Sequence, residues 1–213
     1  MKKGIIFDMD GTLWDSSTEV AFSWSKAIES SDITDRVLTK EDFMRVMGKP
    51  MDELIAALFP ELERSQQMEL LEHCGKVENE YLKEHGAVLY PQVEQVLARL
   101  QKEYVLAIVS NCQCGYIEAF LEHYGFGKYI SDIQCFGMNE APKGENIRLV
   151  VERNQMDQAV YVGDIQGDYE ASRMAGVEFI HAAYGFGEIH EKVPRIEAFE
   201  ELPDVAAHVF AGK

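Results

Sequence analysis

The sequence predicts an α/β protein: a doubly wound parallel sheet carrying an inserted α-helical segment. Two observations predict it. Short apolar runs alternate with segments of helical period, and one long stretch near the N-terminus is helical in period throughout. The runs Ile5-Ile6-Phe7, Val105-Leu106-Ala107-Ile108-Val109 and Val160-Tyr161-Val162, with weaker ones at Ile133 to Phe136 and Phe179-Ile180, lack polar alternation. They are therefore expected to be strands covered on both faces. Between them Val93, Val96, Leu97 and Leu100 keep the i, i+3, i+4, i+7 spacing, with Pro91 near the start. Ile117, Phe120, Leu121 and Tyr124 repeat it before Gly125. Alternating strand and helix is the pattern of a doubly wound sheet.

From about Asp15 to His85 the alternation stops. Val20, Trp24, Ala27 and Ile28 form one helical stripe, Met51, Leu54, Ile55 and Leu58 a second, and Met68, Leu71, Gly75, Tyr81 and Leu82 a third. Thr39-Lys-Glu-Asp42 reads as a helix N-terminal cap. One crossover between parallel strands needs a single helix, so the surplus reads as a second domain. The expected division is a core of residues 1–14 and 86–213 and a helical cap of residues 15–85.

Composition bounds the partners. The 213 residues carry 20 Lys+Arg against 37 Asp+Glu, a net charge of −17. That balance opposes binding to a nucleic-acid backbone or an anionic membrane surface. No apolar run approaches the ~18 residues of a membrane span. The start MKKGIIFDMDG has too short an apolar stretch for a signal peptide, and Cys74, Cys112, Cys114 and Cys135 are too sparse for a disulfide scaffold. A cytoplasmic protein with reduced thiols is expected. Cys112-x-Cys114 lacks a second ligand pair for zinc, so the thiols read as small buried or loop residues.

What ends each strand carries the chemistry. The first runs into Asp8-Met9-Asp10-Gly11-Thr12, the second into Ser110-Asn111, and the third into Gly163-Asp164-Ile165-Gln166-Gly167-Asp168. Ligands of open parallel sheets bind outside the carboxyl ends of the strands, so these groups should meet in one crevice. Two unit charges ~4 Å apart cost about 4 kcal/mol at an effective dielectric near 20. Four carboxylates together therefore call for a cation, and hard oxygen ligands select Mg2+. Any one of these acids could serve as a turn or helix cap. Three strands all ending in an acid or hydroxyl are hard to explain that way. Asp8 and Asp10, two residues apart, allow one carboxylate to attack while the other handles the leaving-group proton. Lys143, at the head of the period Ile147, Val150, Val151, can face phosphoryl oxygens.

Taken in order, Asp8-x-Asp10-Gly11-Thr12, Ser110-Asn111, Lys143 and Gly163-Asp164-x-x-x-Asp168 resemble the four motifs of the haloacid dehalogenase superfamily over essentially the whole chain. The phosphoglycolate-phosphatase-like branch, with a Rossmann-like core and a helical cap, is the most similar. Tyr90-Pro91-x-Val93 and Ala183-x-Gly185-Phe186-Gly187 add to the likeness. The resemblance implies Asp8 as nucleophile and Mg2+ ligand, and Asp10 as general acid/base with its backbone carbonyl on the metal. It implies Thr12, Ser110 and Asn111 at the phosphoryl group, Lys143 on Asp8 and the phosphate, and Asp164 completing the metal shell. Asp168 would ligate directly or through water. Ile165 departs from relatives that often carry Ser or Thr there.

The expectation is thus a Mg2+-dependent phosphatase acting on a small phosphorylated metabolite, as a monomer or homodimer without nucleic-acid or membrane partners. A sugar phosphomutase is the alternative within the family, and a receiver-like phospho-acceptor the alternative outside it. Asp10 and the cap disfavour the receiver, which needs neither. Met47-Gly48-Lys49-Pro50-Met51 breaks the helical segment, and Lys49 there is a candidate substrate contact.

Overall fold

The computed structural model describes residues 1–212. Strand β1 (Lys3–Phe7) turns through Gly11 into β2 (Trp14–Asp15), followed by helices α1 (Ser17–Glu29), α2 (Lys40–Met44), α3 (Met51–Leu58) and α4 (Arg64–His85). The chain returns through β3 (Val88–Leu89) and α5 (Val93–Leu100) to β4 (Val105–Ser110), α6 (Tyr116–Tyr124) and β5 (Asp132–Cys135). Then come α7 (Phe136–Asn139), α8 (Lys143–Arg153), β6 (Gln158–Gly163) and α9 (Gln166–Ala175). The chain closes with β7 (Glu178–Ala182), β8 (Arg195–Ile196) and α10 (Leu202–Ala211).

Six strands form one parallel sheet in the order β5-β4-β1-β6-β7-β8. The order reverses at β1: the chain moves outward through β4 and β5, then returns to the other side of β1 with β6. Such a switch point leaves a crevice at the strands' carboxyl ends. Because successive residues of a strand point to opposite faces, Ile5 and Phe7 join Leu106, Ile108, Val160 and Val162 on one side of the sheet. Helices α5, α6 and α10 cover that side through Leu97, Phe120 and Leu202. Ile6, Ala107, Val109 and Tyr161 face the other way, against Ile147 and Val150 of α8 and Ala171 of α9.

The segment between β2 and β3 is helical, as its period predicts. The predicted stripes of α1 and α3 are buried in full. Thr39 caps α2, its hydroxyl accepting from the Asp42 N–H while the Asp42 carboxylate accepts from the Thr39 N–H at 3.0 Å. The face of α4 differs from the expectation. Met68 is exposed, and the buried residues are Gln67, Leu70, Cys74, Gly75, Glu78 and Leu82. Two polar residues sit on the buried stripe and disguise it. Strand β5 also starts and ends one residue before Ile133 to Phe136, because Phe136 opens α7. The two-residue ribbon β2–β3, pairing Trp14 with Leu89 and Asp15 with Val88, has no sequence signal of its own.

Candidate active site

The site is assembled by register. Phe7 pairs with Ile108 of β4 and with Val162 of β6, and the Asp8 N–H donates to the Val162 carbonyl at 2.9 Å. Asp8, Ser110 and Asp164 therefore leave neighbouring strand ends together. Gly11 makes the turn after β1 at φ +80°, and a Cβ there would lie 2.0 Å from Asp164 Oδ2. Only glycine gives that backbone and leaves that carboxylate room. Oxygens of Asp8, Asp164 and Asp168 all lie within 4.8 Å of one another, and all three residues are buried.

Lys143, at the first turn of α8, supplies the opposing charge. Its ammonium donates to Asp168 Oδ1 at 2.7 Å and lies 3.1 Å from Asp8 Oδ1. Burial alone would lower the ammonium, but Asp168 and Asp8 outweigh it and hold it above its ordinary range. Asp168 is fully engaged: its Oδ2 accepts from the backbone N–H groups of Asp164 at 3.0 Å and Ile165 at 3.2 Å. It thus caps its own helix while fixing Lys143. Asp164 Oδ2 accepts from the Phe186 N–H at 2.7 Å. Burial, then repulsion from Asp168, pushes Asp8 up to about 7 against the pull of Lys143. Asp164 is raised well above the carboxylate range by burial, Asp168 and Asp8.

Asp10 turns away from that cluster. Its Oδ1 accepts from Tyr116 OH at 2.6 Å, Ser16 Oγ at 2.5 Å and Trp14 Nε1 at 2.9 Å. Burial raises its carboxyl and these three donors oppose the rise. Its side chain is therefore not among the three carboxylates that gather.

Asp8 and Asp10 open onto a cavity also lined by Ser110, Asn111 and Lys49. Centres of water-sized molecules can occupy about 30 Å³ of it, room for about two waters. The helical segment closes it. Asn111 Nδ2 donates to the Gly48 carbonyl at 2.7 Å. Gly48 itself lies at φ +81°, where a Cβ would meet Ile165 Cδ1 at 2.4 Å. Ile165, where relatives often carry a hydroxyl, is thus a packing contact for that loop. Lys49 is exposed at the cavity's edge. Thr12 stands apart from it, fully buried, with Oγ1 lacking a partner and its carbonyl accepting from Tyr184 OH at 2.8 Å.

Sequence reasoning missed Tyr116, Trp24, Gln113 and Glu78, which complete the cavity wall. Glu78, 3% exposed, accepts at Oε2 from Trp24 Nε1 at 2.7 Å and Gln113 Nε2 at 3.1 Å. Burial, with some repulsion from Asp10, pushes it up to about 8. The available signal was one glutamate, Glu78, on the inner stripe of α4.

A parallel sheet with acids at its central strand ends, a lysine bridging two of them and a helical segment closed over them defines a hydrolase class. The chain matches the haloacid dehalogenase-like hydrolase family over residues 5–182 and belongs to it. Within the family it falls in the phosphoglycolate-phosphatase-like branch. It is 28% identical to the phosphoglycolate phosphatase of Salmonella typhimurium, with 86% of this chain and 82% of that protein covered. Its fold is similar to a predicted phosphoglycolate phosphatase from Haemophilus somnus, with a TM-score of 0.81, 22% identity and coverage of 96% and 98%. Rhodobacter sphaeroides CbbY, solved with xylulose-(1,5)bisphosphate, gives a TM-score of 0.81 at 17% identity, covering 95% of this chain and 96% of that one. No helix among the described residues is long and apolar enough to cross a membrane.

Proposed function

We propose that the protein is a Mg2+-dependent phosphatase of small phosphate monoesters that works through an aspartyl-phosphate on Asp8. The observation that carries this is Asp8 itself. Its Oδ1 lacks a well-aligned hydrogen bond, faces Lys143 at 3.1 Å, and stands two residues before a carboxyl held by three donors.

An Asp8 oxygen forms a bond to phosphorus as the bond to the leaving oxygen breaks. Asp10, its carboxyl raised by burial, gives that oxygen its proton. Asp10 then takes a proton from the water that cleaves the acyl phosphate, releasing inorganic phosphate and restoring Asp8. Lys143 and Ser110 hold the phosphoryl oxygens, with Asn111 beside them. Residues 15–85 act as a cap over a core of residues 1–14 and 86–213, and Lys49 contacts the substrate from the cap.

The residues fit a hard cation. Three buried carboxylates gather within 4.8 Å against one lysine, with no nitrogen or thiol ligand among them. Asp8 and Asp164 would hold Mg2+, with the Asp10 carbonyl. Asp168, both of whose oxygens are engaged, would act through water. When bound, the ion supplies positive charge to offset the equatorial phosphoryl oxygens.

The test is release of inorganic phosphate from an aryl phosphate with and without EDTA. Release that chelation abolishes is expected. Unchanged release after chelation refutes the metal assignment, and absence of release refutes the phosphatase reading. Phosphate transfer that needs a bisphosphate activator would favour the mutase alternative.

A further inference from the structure

The cavity that meets Asp8 and Asp10 has a second polar end, and its charge is unusual for a site taking an anionic ester. Its walls are largely apolar, with Val20, Trp24, Phe43, Met51 and Leu54 among them. Within that surface the Glu78 carboxylate is lodged in α4 and held from two directions, by Trp24 of α1 and by Gln113 in the loop after β4. Lys49 is the only cation lining the cavity among the described residues, and it is exposed at the edge, whereas Asp8, Asp10 and Glu78 are all acidic. An acid without a cationic partner is costly to keep charged out of water, so Glu78 holds its proton until a donor or cation reaches it or the pH passes about 8.

We propose that Glu78, positioned by Gln113, receives the distal end of the leaving alcohol, and that this end is a hydrogen-bond donor, an amino or hydroxyl group, rather than an anion. The inference rests on the phosphomonoester reading above. A carboxylate accepts hydrogen bonds and attracts an ammonium, while the aromatic faces of Trp24, Phe43 and Tyr116 tolerate a cation. Above about pH 8, where Glu78 is ionised, a distal carboxylate at the same place would meet a like charge in an apolar surround, a juxtaposition that costs several kcal/mol. The leaving group of this chain would then differ from that of phosphoglycolate, although the branch is named for it.

The experiment compares phosphate release at pH 9, where Glu78 is ionised, from three two-carbon esters that differ only at the far end: phosphoethanolamine, 2-hydroxyethyl phosphate and phosphoglycolate. An aryl phosphate is the fourth substrate, and wild type is run beside Glu78→Gln, which keeps an acceptor for Trp24 and Gln113. The expected wild-type kcat/KM is at least about tenfold higher for the amino and hydroxyl esters than for phosphoglycolate. Glu78→Gln should lower the amino ester about tenfold while the aryl phosphate falls less, narrowing the gap to phosphoglycolate. A wild-type preference for phosphoglycolate overturns the proposal. So does an equal loss on all four substrates, which is what a purely structural Glu78 predicts. Failure of wild type on the aryl phosphate as well would instead overturn the phosphatase reading beneath it.

Discussion

Tyr116 donates its phenolic proton to Asp10 across 106 residues of chain, at 2.6 Å. The same carboxylate oxygen also takes Ser16 and Trp14, so Asp10 is held rigidly on one side. Burial places the Tyr116 phenol well above its ordinary range, and Asp10 raises it further, so it stays a donor at any working pH. A fixed carboxyl of raised affinity for its proton suits proton delivery to a leaving group.

Asp10→Asn should therefore slow turnover by about 10²–10⁴-fold on esters of poor leaving groups. Aryl esters with acidic phenols, which leave without a proton, should recover much of the loss. Asp8→Asn should show no such recovery. Rates plotted against leaving-group pKa check this; parallel lines for the two variants would refute the division of roles.

Lys143 is the only positive charge in contact with Asp8 and Asp168 among the described residues, and all three are buried. Lys143→Met should destabilise the metal-free protein by about 3–5 kcal/mol, the usual cost of stranding a buried charge. The loss should be smaller in acid, where the stranded carboxyls can protonate. Denaturant unfolding in EDTA at several pH values measures it, and a loss below about 1 kcal/mol at every pH would contradict the pairing.

Mg2+ should stabilise wild type by about 2.7 kcal/mol at a hundredfold excess over its dissociation constant. Asp164→Asn removes one of the mutually repelling acids, so it should melt higher than wild type in EDTA and gain less from Mg2+. A helix cap or surface acid predicts a small loss indifferent to metal. Melting curves of both proteins with EDTA and with millimolar Mg2+ distinguish the two.

Glu78 gives a pH signature. Its folded carboxyl titrates at about 8 against an ordinary 4.5, so the native state holds the proton more tightly than the unfolded chain. The stability this represents is complete below the unfolded value and is lost as pH rises through the folded one. Glu78→Gln should therefore gain on wild type between those values, by an amount on the order of a few kcal/mol once the titration is complete. Melting temperatures from pH 4 to 9 test this; a constant offset between the two proteins would contradict it.

The parts legible in the sequence were those with a local signature. Apolar runs ending in Asp8, Ser110 and Asp164 marked both the sheet and the crevice, because strand ends and ligand sites coincide in this class of fold. Lys143 was legible as the head of a helical period, and Gly125 as a stop in the left-handed region. Glu78 and Gln67 were not, because a polar residue on a helix's inner stripe looks like a misplaced stripe until its partners are known. Tyr116 was hidden for another reason. It reads as a core aromatic beside Ile117, and its bond to Asp10 spans a distance along the chain over which no periodicity carries information. The β2–β3 ribbon is two residues a side, below the length at which alternation can be counted.

The spread of the site along the chain bears on how the protein comes into being. Asp164 and Asp168 are made more than 150 residues after Asp8, with Lys143 in between. Strand β1 lies between β4 and β6, so one of its two edges stays unpaired until β6 has been made. A nascent chain arrested before β6 would carry Asp8 with neither Asp164 nor the Asp168 that anchors Lys143. Contacts of this separation are slow to close. Catalytic competence therefore waits on β6 and the first turn of α9, and chains arrested before Asp168 would be inert toward phosphate esters rather than partly active.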